Sequence, residues 1–279
     1  MIERENSFIN ADGVTIAYRV WLPEARGRRG IVFISHGLGE HSGRYRHVAE
    51  ALTEVGFVCY GIDHLGHGLS GGARAYVPDG QLPVRDLDQL YHIVRAEFPD
   101  LPALLFAHSM GSLIGLGFEL RYPGRLRGIA ITGSPVHGEY AKPAWLVSLC
   151  LWAAQHIPKV RLSPPGSPAV LTADAEVLKE WLNDPLVDKG MWRVGTSAAL
   201  VRLGREICQR AGKIKAPLLL LHGSADHLVP DSGSRFLAEN VASADVTLKV
   251  YDGLRHELVN ETERDEIIRA IRDWLLERV

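Results

Sequence analysis

Short, mostly apolar runs recur along this chain, and most are followed by a stretch of helical spacing. The runs are Gly30–Ser35 (GIVFIS), Phe57–Ile62 (FVCYGI), Ala103–Ala107 (ALLFA), Leu126–Thr132 (LRGIAIT), Pro217–Leu221 (PLLLL) and Val246–Tyr251 (VTLKVY). A strand with almost no polar positions must be covered on both faces, which is the situation of a parallel sheet between two helix layers. Tyr45–Val55, Gln89–Phe98, Gly111–Arg121, Ser234–Val241 and Thr262–Leu276 carry apolar residues at helical spacing. Together they predict a doubly wound α/β fold: a mostly parallel sheet with helices on both faces. Val14–Leu22 alternates in polarity, as an edge strand would.

One region departs from this rhythm. From Gly138 to about Leu200 no run reads as a strand; helical patches surround a Pro/Ser-rich stretch (LSPPGSP, Leu162–Pro168) and the segment WLNDPLVDKG. The expectation is a helical cap at 138–200 inserted into a core made of 1–137 and 201–279. A chain of 279 residues suits one such domain with an insertion. Its longest apolar run, Ala144–Ala154 (AWLVSLCLWAA), falls at the start of the cap. It is too short for a bilayer span, which takes about 20 residues.

Composition removes several function classes. A formal net charge of −2 offers no basic footprint for nucleic acid. Cys59, Cys150 and Cys208 are odd in number and far apart, so neither a disulfide framework nor a zinc site is expected. The opening MIERENSFINADG has no apolar core of a secretory signal. Reduced thiols in the cytoplasm are the expectation.

Chemistry enters at the ends of the apolar runs. Ala107-His108-Ser109-Met110-Gly111 follows the ALLF run and precedes a helical stretch. A serine between small residues at a strand–turn–helix junction is the pattern of a nucleophile elbow, which exposes Oγ and turns the next N–H toward the reacting carbonyl. Alanine stands at 107 where glycine is usual, and is small enough. His36-Gly37-Leu38-Gly39 follows GIVFIS, where a second oxyanion donor belongs; the candidate donors are the N–H groups of Leu38 and Met110. Asp226 lies in the loop after PLLLL and His256 in the loop after VTLKVY. Serine is a weak nucleophile until a histidine takes its proton and a carboxylate holds that histidine, so Ser109, His256 and Asp226 are the candidate triad. The order Ser, Asp, His is that of α/β hydrolases.

Other motifs weigh less. Gly66–Gly71 (GHGLSG) matches GxGxxG, but no helix is expected to open there, so no dinucleotide cofactor is predicted. Asp63, His64 and His67 lack a second cluster with which to hold a metal. His256-Glu257 starts like HExxH without its second histidine.

The run His36–Tyr45 (HGLGEHSGRY) closely resembles the oxyanion segment of monoacylglycerol lipases. Asp63–Gly72 (DHLGHGLSGG), AHSMG, GSADHLVP, YDGLRHELVNE and NDPLVDKG at Asn183–Gly190 extend the resemblance to residues 7–277, weakest at 140–173. The resemblance implies the α/β-hydrolase fold with a helical cap, hydrolysis of a monoacylglycerol or similar single-chain ester, and no metal or cofactor. It implies a polar alcohol end shaped by Glu40 and Arg44, although an ion pair that only fixes the loop is an equal reading for these two. Trp181 takes the place of an aromatic near the glycerol exit. Val259 stands where some relatives have a histidine near the glycerol. Trp145 and Trp152 share one helical face, which could roof an acyl channel, meet lipid surfaces transiently, or pack onto the core. Alternatives that keep the triad are a carboxylesterase, a lysophospholipase or a cofactor-free haloperoxidase; a non-catalytic binding protein would not need it.

Overall fold

The computed structural model describes residues 1–24, 27–137, 143–163 and 167–279. Eight strands form one sheet: β1 (Ile2–Ile9), β2 (Thr15–Leu22), β3 (Gly30–Ser35), β4 (Phe57–Ile62), β5 (Ala103–His108), β6 (Ile129–Thr132), β9 (Leu218–Gly223) and β10 (Val246–Tyr251). Their spatial order is β1-β2-β4-β3-β5-β6-β9-β10. The pairings of β1 with β2 and of β2 with β4 are antiparallel. From β4 to β10 the sheet is parallel.

The apolar runs conceal a two-residue period. Ile31 and Phe33 of β3 join one buried cluster, with Leu87, Leu90, Leu113 and Leu116, whereas Val32 and Ile34 join the other, with Val48, Leu52, Ile267 and Ile271. Helices α2 (Gln81–Glu97), α3 (Met110–Arg121) and α7 (Ser232–Asn240) supply the first cluster. Helices α1 (Arg46–Glu54) and α8 (Arg264–Leu276) supply the second. This is the α/β-hydrolase fold.

Three differences from the sequence expectation have simple causes. The edge is β1, and β2 is interior. Strand β1 (IERENSFI) is exposed along nearly its whole length, so it carries no apolar alternation; its charges suit an edge open to solvent. Helix α2 begins at Gln81, not Gln89, because Pro83 lies in its first turn, where a missing N–H costs nothing. The expected cap has two short strands as well as helices: β7 (Arg161–Ser163) and β8 (Trp192–Arg193) pair antiparallel and are too short to show a period.

The rest of that region is α4 (Ala144–His156), α5 (Ala175–Asn183) and α6 (Val194–Arg210). Helix α6 runs through the expected boundary at 200, and Leu203 and Ile207 join the core cluster. The expected boundary at Gly138 and the centre of the LSPPGSP run (164–166) lie outside the described residues. Trp145 is 69% and Trp152 58% exposed, so the tryptophan face of α4 points away from the core.

Candidate active site

Each chemistry-bearing loop leaves the C-terminal end of a parallel strand. Such ends form the ligand edge of an open α/β sheet. Ser109 follows β5 with φ +50° and ψ −119°, a conformation L-residues rarely adopt. Strain of this kind costs about 1–3 kcal/mol and is held by its surroundings. Here the Ser109 N–H donates to the Thr132 carbonyl (3.0 Å) and the Ser112 hydroxyl to the Ser109 carbonyl (2.7 Å). The turn leaves no room around it. A Cβ on Gly111 would come within 2.1 Å of the Ser35 carbonyl oxygen, and one on Gly37 would meet the Ser109 Cβ at 3.3 Å. The loop after β3 is therefore pressed against the serine. Met110 opens α3, so its N–H has no acceptor within the helix.

Asp226 and His256 are buried and joined. His256 Nδ1–H donates to Asp226 Oδ2 at 2.7 Å. The other carboxylate oxygen, Oδ1, accepts the N–H groups of Leu228 (3.0 Å) and Val229 (2.8 Å). Burial opposes charge on Asp226, but its hydrogen bonds to His222 and His256 outweigh burial and hold the carboxyl well below the usual carboxylate range. Burial likewise opposes a charged His256; the bond and the charge of Asp226, with Glu257 and Glu40 beyond, outweigh it and raise the imidazole pKa. The His108 ring, 4.7 Å from that of His256, anchors it to the elbow. His108 is held to a pKa of about 4, first by burial and then by the charge of His256, so it stays neutral beside the base.

Glu40 and Arg44 form one buried ion network. Arg44 donates to Glu40 Oε2 (2.6 Å) and, in bidentate fashion, to Glu257 (2.8 and 2.7 Å). Glu40 Oε1 accepts the Gly37 N–H (2.6 Å) and the Tyr45 hydroxyl (2.5 Å). Burial works against its charge, but Arg44 leads the groups that bring its pKa down to about 2. Glu40 thus holds the loop after β3 through the Gly37 N–H. Glu257, set aside above as the start of a false HExxH, is the chain neighbour of His256 and joins this network to it; nothing local in the sequence signals the pairing with Arg44.

Trp181 and Arg44 line a groove of about 600 Å³ together with His41, His47, Asp184 and Asn260, and Ser109 is not among its lining residues. The NDPLVDKG segment is bonded to the loop after β3: Asp188 N–H donates to the Gly39 carbonyl (2.7 Å), and His41 Nε2 bonds Asp184 Oδ2 (2.8 Å). Asp63, read above as a weak metal candidate, accepts from Arg19, Ser42 and the Leu69 N–H and is a structural hub. Among the described residues no group of three or more His, Cys, Asp or Glu is arranged to hold a metal ion. The Gly66–Gly71 stretch is a loop that opens no helix.

Comparison with known proteins decides the family. The sequence profile described as Serine aminopeptidase, S33, matches residues 26–263. The chain belongs to this family of hydrolases. Within the family it is similar to a monoacylglycerol lipase of Mycolicibacterium smegmatis, 38% identical, covering 98% of this chain and 96% of that protein. It is also similar to the human monoglyceride lipase, 32% identical, covering 97% and 89%. Among solved structures, the monoacylglycerol lipase of Paleococcus ferrophilus superposes with a TM-score of 0.83 over 100% of both chains, at 28% identity.

Proposed function

We propose that this chain is a serine ester hydrolase that cleaves monoacylglycerols to fatty acid and glycerol through an acyl-enzyme. The observation that carries this reading is the His256–Asp226 pair, bonded at 2.7 Å, beside the strained elbow at Ser109. The substrate rests on the relatives, matched over nearly the whole chain, whose names state that activity.

Ser109 Oγ attacks the ester carbonyl while His256 Nε2 takes its proton. Asp226 holds Nδ1–H, fixes the tautomer and stabilises the imidazolium. The N–H groups of Leu38 and Met110 donate to the developing oxyanion, an interaction typically worth about 3–4 kcal/mol for one donor. His256 then returns the proton to the leaving glycerol oxygen. Water, deprotonated by His256, attacks the acyl-enzyme; the fatty acid leaves and Ser109 regains its proton. The chemistry needs no metal or cofactor.

Glu40 serves by holding the Gly37 peptide, and Arg44 and Trp181 face the alcohol side. The exposed face of α4, with Trp145 and Trp152, touches the lipid surface transiently, where indole rings suit the boundary between water and acyl chains. Among the described residues no helix is long and apolar enough to cross a membrane. The proposed location is the cytoplasm, with transient peripheral contact at a lipid surface.

The test is a panel of monoacylglycerol, diacylglycerol, lysophospholipid and short-chain ester, with fluorophosphonate labelling, on wild type and Ser109→Ala. Monoacylglycerol turnover and labelling are expected in wild type and absent in the variant. A preference for lysophospholipid would overturn the substrate, and labelling that survives Ser109→Ala would overturn the nucleophile.

A further inference from the structure

Asp226 faces two histidines. Besides His256, its Oδ2 lies 3.2 Å from His222 Nε2. His222 sits on β9 and is wholly buried. Its tautomer is forced. Nε2 lies 2.9 Å from the Val229 carbonyl, which can only accept, so Nε2 carries the proton. Nδ1 then accepts from the Ser234 hydroxyl at 2.8 Å, which ties the ring to α7. The Nε2–H is bonded to the Val229 carbonyl, and the Asp226 Oδ2, at 3.2 Å, is its second, longer acceptor.

We propose that His222, oriented by Ser234, is a positioning residue for the triad carboxylate, holding Asp226 Oδ2 in place independently of His256. The Leu228 and Val229 N–H groups fix only Oδ1. With those alone, the orientation of Oδ2 would depend on the imidazole it is meant to orient. That imidazole gains and loses a proton twice in each catalytic cycle. A donor from β9, held by a helix that takes no part in the chemistry, keeps the carboxylate fixed through both states. Supporting contacts of this kind set the precision of groups that touch substrate. The other titratable groups around His256 are Glu257, Glu40 and His108, and none of them bonds Asp226.

This inference rests on the triad reading above. The experiment compares His222→Leu, His222→Gln and Ser234→Ala with wild type, using a soluble ester and fluorophosphonate labelling rates across pH. His222→Leu removes the donor and should lower kcat and the labelling rate about 10- to 100-fold with KM little changed, the scale of a small misplacement of a catalytic group. Its acid limb should move to lower pH, because a slackened carboxylate supports the imidazolium less. His222→Gln, which keeps an N–H, should recover most of the rate, and Ser234→Ala should lose several-fold. A change confined to thermal stability, with kcat and the acid limb in place, would overturn the proposal, as would a limb moved to higher pH. If His222→Leu does not fold, Ser234→Ala decides on the same readouts. A wild type that hydrolyses no ester and takes up no label refutes the triad reading itself; an active wild type with indistinguishable variants refutes only the role of His222.

Discussion

Replacing Arg44 by methionine isolates what the buried ion network does. The substitution keeps length and an apolar stem but removes three charge-assisted hydrogen bonds, one to Glu40 and two to Glu257. Two buried carboxylates then share a site with no cation between them. Breaking a buried pair by deleting one partner costs about 3–5 kcal/mol, because the remaining charge has lost both water and its partner. At about 4 kcal/mol the folding equilibrium constant falls roughly 10³-fold, a large share of a typical domain's stability. The pH dependence should also reverse. In the wild type Glu40 and Glu257 both titrate below their ordinary value, Glu40 near 2. Their contribution is therefore complete above the unfolded carboxylate pKa and is lost as pH falls through the folded one. In Arg44→Met the like charges raise one carboxyl, so stability should rise as pH falls from 7.5 to 5.5. Urea denaturation followed by tryptophan fluorescence at both pH values reads both effects. Adding Glu257→Gln should recover part of the loss and gives the coupling directly. A variant within about 1 kcal/mol of wild type, smaller than the lower bound for a broken buried pair, and with the wild-type pH slope would refute this account.

Four further outcomes are expected. The general base must be neutral and His256 is raised, so kcat/KM on a soluble ester should fall as pH drops through an acid limb above 6.5; a limb at or below 6.5 contradicts the Asp226–His256 coupling. Gly111→Ala drives a Cβ into the backbone of Ser35 and should cost about 1–3 kcal/mol in urea melts, along with most of the activity; an unperturbed variant would mean the elbow is not held as described. Trp145→Asp, on an exposed face, should leave stability within about 0.5 kcal/mol while lowering turnover of micellar long-chain substrate more than of a short soluble ester; equal losses rule out the surface role. Glu119 is buried and raised to about 7, so the folded state holds its proton longer than the unfolded chain, and its contribution is lost as pH rises from about 4.5 through 7. Glu119→Gln should flatten the decline of stability over that window in calorimetry, and an unchanged slope would contradict the burial argument.

The strands that lead to Ser109 and Asp226 were legible because each buries both faces, and an apolar run followed at once by a chemistry-bearing residue needs no periodicity to be recognised; β10, which leads to His256, lies at the sheet edge with alternating half-buried and exposed positions and was legible as a short run ended by Asp252-Gly253. Strand β1 was not, since Glu3, Arg4 and Glu5 give it the polarity of a loop and only its pairing with β2 makes it a strand. The start of α2 was masked by Pro83, a residue that breaks helices everywhere except near their beginning. The two readings of Arg44 could not be separated in sequence because its strongest partner, Glu257, is 213 residues away. The same holds for His222: its neighbour Asp226 is close in the chain, but the ring's orientation depends on Ser234 across the turn from β9 to α7.

The bonds from the Asp188 N–H to the Gly39 carbonyl and between Asp184 and His41 fix residues 184–190 to the loop after β3. The stretch around 184–190 is moored to the same loop that presents the Leu38 N–H, and Arg161 ties β7 to it through Asp188. Moving residues 184–190 would therefore pull on the loop after β3, whose Gly37 is packed against the Ser109 Cβ. Residues 184–190 and the turn at Ser109 are thus linked through one loop, so that loosening either end of this chain of contacts is felt at the other.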